Sequence, residues 1–277
     1  MSQEAKVWFV TGSSTGLGRA IVEELTAVGE YVVATARDPG TLSALEGNGK
    51  LMTARVDVTN PDELSAAVAA GVARFGRIDV LVNNAGYGLF GAFEEISDSD
   101  ARRQFEVNVF GLFAATRAVL PTMRRQGSGH IINISSVGGR VAFPSLSVYH
   151  ATKFAVEGMS ESLAQEVAPF GVKVTIVEPG SFRTDWSGRS ATFAPPMGEY
   201  AATPAAYVRG LVKDAAGKEP GDPVRAARAI IEVARAAHPP LRLPLGTDAL
   251  ARIRERFQTD LTSMAEWEPL AVATAFP

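Results

Sequence analysis

Residues 6–10 (KVWFV) run straight into Thr11-Gly12-Ser13-Ser14-Thr15-Gly16-Leu17-Gly18 and then into a helical pattern reaching about residue 28. No other stretch of the chain narrows the fold as far. An apolar strand, a glycine-rich turn and a helix in immediate succession commit the chain to a strand–helix–strand course, because the helix must cover the sheet that holds the strand. The helix start offers unpaired N–H groups and the positive end of its dipole, a natural seat for a diphosphate. The glycine spacing is G-x3-G-x-G rather than the G-x-G-x-x-G of other dinucleotide folds, and a glycine turn without a ligand is the competing reading.

The rest of the chain keeps the same alternation. Apolar runs at 31–34, 51–56, 78–82, 130–134 and 172–177 read as strands. Between them lie helical patterns opening at Asn60-Pro61, spanning about 99–125 with breaks at Gly111 and Pro121, and spanning 147–167. Proline just inside a helix start fits the pre-set φ of its ring. Continuous apolar strands separated by helices predict a parallel sheet covered on both faces, a doubly wound α/β fold. Five of the 16 prolines precede residue 179 and 11 lie from Pro179 onward. That shift marks residues 186–220 as a flap over one domain spanning 1–277. Helices near 223–237 and 247–257 flank a short strand at 241–245, and 259–277 reads as a C-terminal tail.

Composition removes several function classes. The 27 basic and 30 acidic side chains leave a net charge of −3, which speaks against a nucleic-acid partner needing a basic stripe. Zero cysteines exclude a thiol nucleophile, a disulfide scaffold and a zinc-thiolate site. Their absence fits a reducing, cytoplasmic setting. The N-terminal residues carry no basic segment followed by a long apolar run, and no stretch of about 18 apolar residues occurs, so neither a secretory signal nor a membrane anchor is expected. His130, His150 and His238 lack ligand spacing, and no metal site is expected.

The chemistry-bearing residues follow the strands. Tyr149 and Lys153 are four apart on a predicted helix and project to one side. An ammonium beside a phenol favours the tyrosinate and makes Tyr149 a candidate general acid/base. A Y-x-x-x-K pair alone carries little weight, since most are solvated helix faces. Ser135-Ser136 closes a strand, where open parallel sheets bind ligands, although serines there also serve simply as turn formers.

Taken in order, the glycine turn, Asn83-Asn84-Ala85-Gly86, Asn108, Ser136 13 residues before Tyr149, Lys153 and Pro179-Gly180 resemble the short-chain dehydrogenase/reductase family over about residues 5–250. The resemblance implies a Rossmann-like fold and a nicotinamide cofactor. It implies that Gly12, Ser14, Thr15, Gly16, Leu17 and Gly18 form the cofactor turn. Asn84, Ala85 and Gly86 stabilise the sheet and pass the adenosine ribose, and Asp57 with Val58 meets the adenine. Pro179, Gly180 and Thr184 hold the nicotinamide. Asn108, Ser136, Tyr149 and Lys153 form the catalytic set: Lys153 binds ribose hydroxyls and lowers the Tyr149 pKa, Tyr149 gives a proton to the carbonyl oxygen, Ser136 hydrogen-bonds that oxygen and Asn108 holds a relay water.

Cofactor choice turns on the end of the second strand, Ala34-Thr35-Ala36-Arg37-Asp38. NAD enzymes of this kind place a carboxylate where Ala36 stands, and Arg37 follows with a guanidinium suited to a 2′-phosphate, so NADP(H) is expected over NAD. Segments 87–93, 137–146 and the flap carry the aromatic and aliphatic side chains able to meet a substrate, and Arg140, Arg183 and Arg189 are candidates for an anionic group. The text YHATKFAVEG and VEPGSFRTDW resembles relatives acting on lipophilic ketones and alcohols. The expected activity is a carbonyl reductase or alcohol dehydrogenase. The rival is a cofactor-binding regulator of the same fold without catalysis. The family implies a homodimer or homotetramer through the two long helices, where Gly111, Ala114, Ala115, Ala155 and Gly158 allow close packing or else pack the sheet.

Overall fold

The computed structural model describes residues 5–45, 49–188 and 190–276. Strand β1 (Val7–Val10) enters helix α1 (Gly16–Ala27), and β2 (Tyr31–Ala36), β3 (Leu51–Arg55), α2 (Pro61–Phe75) and β4 (Val80–Asn83) follow. A short β5 (Gly88–Phe90) leads to α3 (Asp98–Phe105), α4 (Gly111–Gln126), β6 (Gly129–Ile134), α5 (Ser147–Val167) and β7 (Val172–Pro179). The last part holds β8 (Ala191–Phe193), α6 (Pro204–Ala215), α7 (Pro223–Arg235), β9 (Arg242–Leu245) and α8 (Thr247–Val272).

The main sheet has seven strands in the order β3-β2-β1-β4-β6-β7-β9, every neighbour parallel, as in a Rossmann-like fold. The central strands are covered on both sides. Trp8 and Val10 pack with Ile21, Leu25 and Ile230 under α1 and α7, while Phe9 between them packs with Leu64, Val119 and Met123 under α2 and α4. The chain adds β2 and β3 on one side of β1 and then crosses to place β4 on the other. That reversal opens a crevice at the carboxyl ends of β1 and β4. Among the described residues no helix is long and apolar enough to cross a membrane.

Local chemistry sets the boundaries. Asn60 Oδ1 accepts the amides of Asp62 (3.1 Å) and Glu63 (3.4 Å) with Pro61 at the first helical position, and Asp222 and Pro223 repeat the device on α7. Gly111 and Ala115 turn inward rather than toward a partner: a Cβ on Gly111 would lie 2.7 Å from Val58 Cγ2, and Ala115 is in the core. Gly158 and Phe154 stay on the outer face of α5.

Three features depart from the sequence reading. The long helix predicted over 99–125 is two helices joined by a π-turn at Glu106–Phe110. Residues 191–193 form a strand that pairs in parallel with β5, Gly88 against Ala191 and Phe90 against Phe193, sewing the flap to the body. The helix expected to stop near 257 continues to Val272, so most of the expected tail is helical; good helix formers and an Arg256–Asp260 pair four residues apart carry it on.

Candidate active site

A cavity of about 990 Å³ opens at the carboxyl ends of the central strands. All the residues implied for cofactor and catalysis line it except Gly18 and Asn108, which lie beneath its wall. Gly12 and Gly16 take left-handed φ of 67° and 57°, and a Cβ on Gly12 would come 2.8 Å from Ala85 Cα. A Cβ on Gly18 would collide with the Gly12 carbonyl and the Asn84 side chain. Asn84 locks this turn: its Nδ2 donates to the carbonyls of Thr11 (3.0 Å) and Gly12 (2.9 Å), while Thr11 Oγ1 accepts the amides of Asn84 and Ala85. Thr15 caps α1 without a side-chain hydrogen bond and no acidic residue occupies the first turn. The first amides of α1 therefore face the cavity with neither a capping side chain nor a repelling carboxylate, and Thr184 faces them across Gly16, with the Gly16 Cβ position 3.5 Å from Thr184 Cβ. This cradle fits a dinucleotide diphosphate.

At the end of β2, Ala36 and Arg37 line the cavity and Asp38 does not. Asp38 Oδ1 instead accepts the Gly40 amide at 3.0 Å, turning its carboxylate into the following loop. Asp57 Oδ1 accepts the Thr59 amide (3.0 Å) and hydroxyl (2.8 Å). The Thr59 amide first, then its hydroxyl and the Arg37 and Arg55 charges, hold the Asp57 carboxyl below its usual range despite partial burial.

Helix α5 brings Tyr149 and Lys153 to one face, both buried. Ser136, two residues past β6, accepts the Gly138 amide at 2.9 Å, which leaves its own hydrogen for the hydrogen bond it makes with Tyr149. Lys153 Nζ donates to the Ile134 carbonyl at 2.9 Å and stands 5.7 Å from the Tyr149 ring centre. The expectation that the ammonium lowers the Tyr149 pKa does not describe this arrangement. Burial pushes the phenol up to about 12 against the Ser136 hydrogen bond, and burial pushes Lys153 down to about 8 against the pull of Glu157. Asn108 sits in the π-turn with its side chain fully committed: Oδ1 accepts the Tyr87 amide, and Nδ2 donates to the Tyr87 carbonyl (3.0 Å) and Thr152 Oγ1 (3.2 Å). It ties α5 to the loop after β4. A π-turn carrying a site residue is a recurrent use of that irregularity.

Several residues that the sequence reading passed over support the site. Glu178, next to Pro179, takes Arg140 at 3.0 Å, and Arg242 bridges Glu157 (3.0 Å) and Glu161 (2.6 Å) and comes within 3.7 Å of Glu178. Arg140 is thereby spent behind the site rather than offered to substrate. Arg183 Nε donates to the Glu219 carbonyl, and Arg189 lies outside the described residues. His150 does not point away from the site as its place beside Tyr149 suggests; it lines the cavity. Its Nε2 accepts the Phe143 amide, so Nδ1–H donates to the Gly138 carbonyl, both at 2.9 Å, and this neutral tautomer clamps the loop after Ser136. Asp248, opening α8, accepts the Ser181 amide at 2.9 Å and fixes the Pro179-Gly180 turn. Trp186 lies 5.3 Å from the Tyr149 ring and 5.2 Å from the Phe90 ring, placing the start of the flap over the phenol.

Comparison with known proteins agrees with this geometry. The family profile described as short chain dehydrogenase matches residues 6–193. The protein named oxidoreductase BOA17 of Botryotinia fuckeliana is 42% identical over 273 residues, covering 98% of this chain and 99% of its own length. A short-chain dehydrogenase from Streptomyces avermitilis superposes with a TM-score of 0.91 at 44% identity, covering 99% and 100% of the two chains. A family member from Burkholderia phymatum in complex with NAD superposes at 0.82 with 25% identity, covering 95% and 96%. With its parallel sheet, its glycine turn, and Ser136 beside a buried tyrosine and lysine, the chain belongs to the short-chain dehydrogenase/reductase family of oxidoreductases.

Proposed function

We propose that the protein is an NADP(H)-dependent oxidoreductase that interconverts the carbonyl and secondary alcohol of lipophilic small molecules. The observation that carries the reading is the Tyr149 hydroxyl, buried beside Ser136 on the floor of the cavity with Lys153 Nζ on the same side. The cofactor supplies the hydride when bound. The chain's own groups do the rest. The amides at the start of α1 hold the diphosphate, Lys153 holds ribose hydroxyls, and the Pro179-Gly180 turn with Thr184 holds the nicotinamide. Ser136 turns its hydrogen from Tyr149 to the substrate oxygen and stabilises charge developing there. Tyr149, kept protonated at neutral pH by burial, is the acid that reduction requires.

The NADP(H) preference rests on Arg37 at the cavity wall and on Asp38 being turned away to Gly40. The substrate class rests on the walls above Tyr149, where Phe143, Leu146, Trp186, Val208, Leu211 and Val212 offer mostly apolar surface. The test is a panel of aliphatic, alicyclic and aromatic ketones followed at the nicotinamide absorbance with either cofactor. Losing a charged hydrogen bond predicts that Arg37→Ala raises KM for NADPH by ~10–100-fold and leaves NADH nearly unchanged. Equal effects on both cofactors contradict the NADP(H) assignment, and absence of turnover across the panel favours the non-catalytic regulator.

A further inference from the structure

The first turns of α8 belong to the body of the protein. Ala249 and Ile253 are buried, Arg252 lies over the Phe143 ring, and Phe257 stacks under the Arg140 guanidinium. After residue 258 nothing along the helix is buried, although it runs on to Val272, an overhang of about 21 Å at 1.5 Å per residue. That overhang is not polar. Leu261, Met264, Trp267, Leu270 and Val272 are each 62–68% exposed. A helical segment of this length is marginal in water by itself, and most helices owe their stability to a covered apolar face. Phe257, Leu261 and Met264, four and three residues apart, form one stripe.

The distribution of charge says what covers it. Residues 249–258 carry Arg252, Arg254 and Arg256 against Glu255, while 259–272 carry Asp260, Glu266 and Glu268 and no basic residue. A helix basic at its root and acidic at its overhang is complementary to itself when inverted, and repels itself when two copies lie parallel. The acidic overhang is also the wrong sign for an anionic lipid surface. Arg254 and Glu268 each lie seven residues, about two turns, from Leu261, and so share its side of the helix.

We propose that the α8 overhang docks on a second copy of this chain, the two helices lying antiparallel across a two-fold axis at Leu261, with Arg254 facing the partner's Glu268. The contact is isologous and closes on itself, so it makes a dimer rather than a fibre. It is separate from the outer faces of α4 and α5 and does not depend on the catalytic reading above. It brings a second subunit onto the helix whose root holds the Ser181 turn and packs on the Phe143 loop.

The chain contains no cysteine, so a single introduced thiol reports its own surroundings. Leu261→Cys replaces an exposed side chain and places two thiols at the two-fold axis. Mild copper–phenanthroline oxidation at low micromolar protein is expected to convert most of this variant to a covalent dimer. Arg254→Cys, whose two copies stand about 21 Å apart in the antiparallel pair, is expected to stay monomeric on the same gel. Adding Arg254→Glu to Leu261→Cys slows cross-linking several-fold, and further adding Glu268→Arg restores it. Failure of Leu261→Cys to cross-link overturns the proposal, as does equal cross-linking of Arg254→Cys. Co-sedimentation with phosphatidylcholine or phosphatidylglycerol vesicles that is lost on truncation after residue 258 also overturns it, in favour of a lipid surface.

Discussion

At the scale of single residues, the acid–base behaviour of the site follows from how thoroughly it is enclosed. Tyr149 is pushed up to about 12 and Lys153 down to about 8, in both cases mainly by burial. Near neutral pH both groups carry their protons, which suits proton donation to a carbonyl. Reductive kcat/KM is therefore expected to be level between about pH 6 and 7.5 and to fall as Lys153 deprotonates above about 8, while the oxidative rate climbs with pH. Paired pH–rate profiles check this, and a reductive rate still rising above about pH 9 contradicts it. Glu178 gives an independent readout on stability. Burial and the nearby Glu157 raise it from 4.5 to about 7, against the pull of Arg140 and Arg242. Between those values the folded chain binds more protons than the unfolded one, so this group's contribution is full below about 4.5 and is lost as pH rises through about 7. Glu178→Gln is accordingly expected to show a shallower fall in Tm than wild type between pH 5 and 8. Parallel Tm curves for the two proteins contradict this.

At the scale of elements, a buried ion pair anchors the flap. Glu95, just after β5, accepts the amides of Ala92 (2.8 Å) and Met197 (2.9 Å) and the Arg209 guanidinium of α6 at 2.7 Å. Its side chain is 0% exposed and that of Arg209 is 10%. Burial pushes the Glu95 carboxyl up, but these donors win and hold it below its usual range. Removing one partner strands the other charge, so Glu95→Ala is expected to cost about 3–5 kcal/mol. It should lower Tm and raise KM for substrate while leaving NADPH binding unchanged. An unaltered Tm removes the pair's anchoring role.

The same scale shows why some of the molecule was legible in the sequence and some was not. The central strands are read from continuous apolar runs because both faces are buried, as Trp8 and Phe9 show by packing on opposite sides, while the edge strands β3 and β9 are only partly buried. β5 and β8 have three residues each, too few for a period to register, and they pair across about a hundred residues. The π-turn at 106–110 adds no sequence signal that separates it from ordinary helix. Ser136, Tyr149 and Lys153 are found by order and spacing. Glu157, Glu178 and Asp248 act through neighbours distant in the chain, and their acidic side chains look like any solvated carboxylate until the fold encloses them.

At the scale of the whole molecule, the order of the strands does the positioning. Crossing from β3 to β4 opens the crevice beside β1; the glycine turn lies at one end of it, and α5 delivers Tyr149 and Lys153 to the other. The proline-rich last third supplies the flap, and Trp186 carries it over the Tyr149 ring. The central claim is that this enclosed phenol is the proton donor, and single-turnover reduction of a ketone substrate by the Tyr149→Phe variant at saturating NADPH tests it most directly. Loss of general acid catalysis predicts a rate lower by ~10²–10⁴-fold with NADPH dissociation constant near that of wild type. A Tyr149→Phe variant that reduces the ketone at the wild-type rate contradicts the account.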